Sequence, residues 1–128
     1  MVHRIRIQGS VAEVEPALVG AFQAEGFGLL SRIAFDAVLR EKRGVVMRPY
    51  LRLGFCQPEL AERALDKTPE LGTVLPCAVV LREVEGGVEI LILDPKAAFS
   101  AAGVGEEALA EEVKRRVEDA LGRLEVTV

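Results

Sequence analysis

The stretch Cys77-Ala78-Val79-Val80-Leu81-Arg82-Glu83-Val84, then Glu85-Gly86-Gly87, then Val88-Glu89-Ile90-Leu91-Ile92-Leu93 decides the fold. Both apolar runs are rich in Val, Leu and Ile and have strand length. A glycine pair lies between them. Tight hairpin turns need positive φ, which glycine adopts without a steric penalty. This reading predicts strands over Cys77–Val84 and Val88–Leu93, with Gly86-Gly87 as the turn.

Other strands extend the pattern outward. In Arg4–Gln8, Ile5 and Ile7 alternate with Arg4, Arg6 and Gln8, the mark of a half-buried strand. Tyr50–Cys56 sets Leu51, Leu53 and Phe55 against Tyr50, Arg52 and Cys56. Phe27–Phe35 reads as a strand with Phe27, Leu29, Ile33 and Phe35 on one face.

Helices fill the intervals. Ser10 and Glu13 fit a capping box, followed by Val14, Leu18, Ala21 and Phe22 at helical spacing. Pro16 argues for a regular helix that starts near Glu15, with the proline in its first turn. Asp36 is expected to cap a short helix ending at Arg43 and Gly44. Pro58 opens a helix to about Lys67, and Asp94-Pro95 is a cap-and-first-residue pair for one through Ala102. The last helix is expected from about Glu106 to Leu124. Its stripe is Leu109, Val113, Val117, Ala120, Leu121 and Leu124, with Glu111–Arg115 and Glu112–Arg116 as pairs on the wet face. The expectation is a single α+β domain over residues 1–128: an antiparallel β-sheet with helices packed on one face. The other sheet face needs cover, which points to self-association as a homodimer.

Composition excludes several classes. The chain has 128 residues, half of them hydrophobic, and a net charge of −4. That length supports one core without disulfide or metal staples, and the apolar fraction is too high for disorder. The acidic balance argues against nucleic acid as partner. No apolar run is long enough to span a bilayer, and no leader-like segment opens the chain, so a cytoplasmic location without membrane contact is expected. The sequence has no Asn and only three Gln; depletion of heat-labile amides suits a thermostable protein.

Familiar catalytic templates do not fit. The single His, His3, lies near the terminus, where an exposed ring is expected. There is no phosphate-binding glycine motif; Gly26-Phe27-Gly28 follows a helix and reads as its stop. Cys56 is the most informative residue. It ends a strand at the N′ or N-cap position of the Pro58 helix, where peptide dipoles favour a thiolate. Arg52, on the same strand face, adds positive charge. Cys77 follows Pro76 at the start of another strand. Free cysteines also serve as small buried residues, and both readings stay open for this pair. Arg40, Lys42, Arg43, Arg48 and Arg52 form a basic segment around Tyr50 that suits an anionic ligand or, more plainly, a solvated surface.

Gly26-Phe27-Gly28-Leu29-Leu30, Asp36 with Lys42-Arg43-Gly44, Gly54-Phe55-Cys56-Gln57-Pro58, Leu75-Pro76-Cys77 and Asp94-Pro95 together resemble the bacterial and archaeal family of domains of unknown function numbered 302. The likeness runs from about Gly9 to Gly122. The family usually carries Asn where this chain has Gln57. The resemblance implies a fold similar to the TATA-binding-protein-like architecture and a homodimer, and it brings no activity or cofactor. It places Cys56, Pro58, Pro76 and Cys77 on motif positions, which favours a thiol-centred site.

Three functions remain as expectations. The first is a dimeric binding module for a small anionic or thiophilic ligand near Cys56. Its candidate residues are Cys56, Cys77, Arg52, Lys42 and Tyr50, and the two cysteines are also the metal candidates. Thiolates suit soft ions such as Cu(I). The second is a homodimeric interaction protein without chemistry. The third is a thiol-dependent enzyme using Cys56, ranked last because acid–base partners are scarce.

Overall fold

The structure, a computed structural model, describes residues 2–127, with side chains through Leu124. Met1 and Val128 of the expected domain lie outside the described residues. Five strands form one sheet: β1 (Val2–Ile7), β2 (Gly28–Ala34), β3 (Tyr50–Cys56), β4 (Cys77–Val84) and β5 (Gly87–Leu93). Their order is β1-β5-β4-β3-β2, and every neighbouring pair is antiparallel. The helices are α1 (Val11–Ala24), α2 (Phe35–Arg43), α3 (Pro58–Lys67), α4 (Pro95–Ala101) and α5 (Glu107–Thr127), with a short 3-10 turn at Pro69–Thr73. The α+β single domain matches the expectation.

The hairpin forms, with its turn shifted by one residue. Val84 pairs with Gly87, so the two-residue loop is Glu85-Gly86 and Gly87 already belongs to β5. A side chain at Gly87 would strike the carbonyl of Ile7 on β1, so the edge strand closes on bare backbone. One sheet face carries Leu51, Leu53 and Phe55, Val79 and Leu81, and Val88, Ile90 and Ile92, all buried. Val14, Leu18 and Phe22 of α1 and Val113, Val117, Ala120, Leu121 and Leu124 of α5 pack onto it. The Phe22 ring stacks on Phe55 with centroids 4.4 Å apart.

Four local expectations are corrected. Pro16 sits inside α1, not in its first turn. The proline removes only the N–H that would reach Ala12, and Ala12 is exposed, so its carbonyl is not left in the apolar core. Ser10 still caps the helix, accepting from the Glu13 N–H at 3.2 Å. In β2 a register shift between Leu29 and Ser31 reverses the alternation. Leu29 stays opposite Phe55, but Ile33 comes opposite Arg52 on the uncovered face, and Phe35 leaves the strand for α2. The same bulge turns Arg32 to the helix side, where it donates to Glu15 at 2.6 Å. Asp36 is not the cap of α2; it lies in the first turn and accepts the Tyr50 N–H at 3.0 Å. None of the α2 residues is buried, so α2 stands apart from the covered face. Finally, Glu111 and Glu112 reach Lys96 and Arg63 rather than Arg115 and Arg116, tying α5 to α4 and α3.

Candidate functional site

At the far end of β3 the chain turns into α3, and Pro58 occupies the first turn of that helix as expected. Gln57 is the cap: its side-chain oxygen accepts the Leu60 N–H at 2.7 Å. Cys56 therefore stands one residue outside the helix, and its thiol does not compete for the cap. The Gln57 amide also lies over Gly26, where an added Cβ would come 3.1 Å from its nitrogen. The sequence reading treated Gln57 only as a departure from the family pattern; its position just before an N1 proline was the available signal for a cap.

Antiparallel pairing brings the second cysteine alongside. Cys77 is opposite Phe55, the residue next to Cys56, and packs against the main core. Cys56 and Cys77 line one cavity of about 20 Å³, walled by Phe27, Phe55, Leu60, Phe99 and other apolar groups. Such a space accepts a water or a single ion and is too small for an organic molecule. Both cysteines are free. Burial pushes the Cys77 thiol up to about 11, and the neighbouring Cys56 adds to the rise. At neutral pH Cys77 is therefore a protonated thiol.

The remaining candidates do not join them. Arg52 lies four residues before Cys56, about 13 Å along an extended strand. It lines a separate cleft of about 200 Å³ that also touches Cys77. Tyr50 stands six residues from Cys56, about 20 Å away. Its ring meets Phe35 edge-on at 5.8 Å. Lys42 is exposed on α2, as are Arg40 and Arg43. Arg40, Lys42, Arg43 and Arg48 form a solvated surface at the opposite end of β3 from the thiols, and Arg52 stands apart from them.

The structure also assembles a polar cluster that the sequence reading missed. Asp94 caps α4, with Oδ1 accepting the Lys96 N–H at 2.9 Å. Its Oδ2 lies 3.5 Å from the Lys114 Nζ and 3.7 Å from the His3 Nε2. Burial raises this carboxyl, but the Lys96 N–H, Lys114 and His3 outweigh burial and hold it below the ordinary carboxylate range. The cluster pins β1, α4 and α5 together, so His3 has a defined partner. Asp94-Pro95 announced the cap; nothing local announced Lys114.

A model of the family described as domain of unknown function DUF302 matches residues 3–124. The chain belongs to the DUF302 family. The crystal structure of the uncharacterized conserved protein DUF302 from Bacillus stearothermophilus is similar, with a TM-score of 0.88 and 24% identity. The match covers 96% of this chain and 97% of that chain. No curated protein matches the chain. DUF302 carries no assigned function, so the chemistry is argued from the geometry. Among the described residues, no group of three or more His, Cys, Asp and Glu is arranged to hold a metal, and no helix is long and apolar enough to cross a membrane.

Proposed function

We propose that this DUF302 protein is a binding module for a thiophilic ligand held between Cys56 and Cys77. The observation that carries this reading is the shared cavity of about 20 Å³ with both cysteines in its wall. A soft, monovalent, two-coordinate ion of the Cu(I) type fits that space and donor set. Zinc asks for four ligands, which the apolar wall does not supply. Among the described residues, the only other polar side chain in the lining is Gln57, which caps α3; with no base among them beside the sulfurs, binding is favoured over nucleophilic chemistry.

An anaerobic titration with Cu(I) against a colorimetric chelator tests the reading. One equivalent binds, and affinity rises with pH because the Cys77 proton must leave as the ion enters. Cys56→Ser and Cys77→Ser each weaken binding, and the double variant abolishes it. Unchanged affinity in the double variant refutes the proposal.

The uncovered sheet face favours a second reading, a homodimer that closes over it. Val80 and Leu91 are half-buried there, and Val2 and Leu93 are 48% and 46% exposed. A light-scattering concentration series decides this: a monomer at all concentrations eliminates it.

A further inference from the structure

The second cleft lies on the uncovered face. Its floor follows from the strand register. Ala78 pairs with Gly54, Leu93 also lines the cleft, and Arg52 stands beside Val80 one step along the same face. The two smallest side chains of this row leave room where the other rows are filled. Leu75, Pro76, Pro95 and Phe99 supply apolar lining. The space amounts to about 200 Å³, or roughly seven times a water's share of liquid volume at ~30 Å³.

Among the described residues, Arg52 is the only charged one in that lining. It is half-buried, and no ion pair or hydrogen bond joins its guanidinium among the described residues. Its neighbours on the same face are served differently. Arg82 donates to Glu89 at 2.7 Å, and Arg4 approaches the same carboxylate at 3.4 Å. A partly desolvated guanidinium favours a bidentate carboxylate partner. The apolar walls beyond it favour a hydrocarbon tail over a second polar group.

We propose that this cleft binds a small organic anion, a monocarboxylate with a short aliphatic tail, paired to Arg52. A ligand of about six to eight non-hydrogen atoms matches the volume. Its tail covers Leu93 and Pro95, and its carboxylate supplies the acceptor that Arg52 lacks. This site is distinct from the thiol pair: Cys77 lines both cavities, but Cys56 lines only the first and Arg52 only this one.

The test uses the isotopically labelled chain, titrated by amide NMR with sodium hexanoate, with 1-hexanol and with inorganic phosphate. Hexanoate is expected to give saturable shifts at Val74, Ala78, Leu93 and Phe99. Arg52→Gln weakens it roughly 10- to 100-fold, the effect of losing a charge-assisted pair. Hexanol binds more weakly by a similar factor, and phosphate gives no saturable shift at these amides. Cys56→Ser, a change confined to the thiol cavity, retains hexanoate binding, which separates this site from the thiol reading. The proposal is overturned by the absence of saturable shifts with hexanoate, by hexanol binding as tightly, by phosphate binding as tightly, or by Arg52→Gln binding unchanged. Should Arg52→Gln lose its dispersed spectrum, the ratio of hexanoate to hexanol affinity on the native chain decides alone.

Discussion

Raising the pH should weaken the native chain specifically through Cys77. The fold lifts this thiol from 9.0 to about 11, first by burial and then through the Cys56 thiol beside it. The folded state thus holds the proton more tightly than the unfolded chain. The stabilisation is complete below pH 9, declines as pH rises, and is gone above pH 11. Two pKa units correspond to about 2–3 kcal/mol. Urea unfolding of the native chain and of Cys77→Ala at steps between pH 8 and pH 11, under reducing conditions, measures it. Other alkaline titrations are common to both proteins, so only the gap between them reports Cys77. The gap should fall by about 2–3 kcal/mol across the range. Alkylation of the native chain, followed at Cys77 by peptide mass analysis, offers a second readout. At pH 8 the thiolate fraction is about 0.1%, against about 9% for an unshifted thiol, so iodoacetamide should react about 90-fold more slowly. A gap that stays constant with pH, or alkylation at the rate of an ordinary cysteine, refutes the argument that burial governs this sulfur.

Gly54→Ala should destabilise by about 1–3 kcal/mol in urea unfolding, because the new methyl meets the Ser31 hydroxyl and the Pro76 ring at 2.7 Å. Gln57→Ala, which leaves the Leu60 N–H at the start of α3 without its acceptor, should cost about 0.5–2 kcal/mol by the same measurement. Asp94→Asn retains a cap acceptor but loses the charge facing Lys114 and His3. The native advantage over this variant should be full above pH 3.8 and fade as pH falls below it, since the fold lowers the Asp94 carboxyl.

Much of the fold could be read from alternation and punctuation. β3 and β4 have their expected ends, and Pro58 and Pro95 open helices where they should. These features are local: a strand's period and a proline's missing N–H act within a few residues. The errors have a common origin in contacts between distant segments. The β2 bulge is fixed by how Gly28–Ala34 meets β3, so it leaves no trace in the alternation of β2 itself. Asp36 had the composition of a cap, but the Tyr50 N–H claimed its carboxylate. Glu111 and Glu112 were surrounded by suitable i,i+4 partners, yet helices packed alongside offered Lys96 and Arg63.

The candidate site follows the same division. Cys56 and Cys77 are 21 positions apart in the chain, and only the pairing of Phe55 with Cys77 makes them neighbours. Arg52 and Cys56 shared a strand face in the alternation, which suggested a single electropositive site. Parity fixes the face but not proximity. Each residue advances a strand by ~3.3 Å, so four residues carry the guanidinium beyond contact with the sulfur. That rise divides the candidate residues between two cavities: Cys56 and Cys77 line the one at the end of β3, and Arg52 lines the cleft at its middle, where the proposed anion would bind. The Leu75–Cys77 segment contributes to both cavities, so a substitution there disturbs two sites at once. Cys56, Gln57 and Arg52, each lining only one of them, are the positions at which substitution tests the two proposals separately.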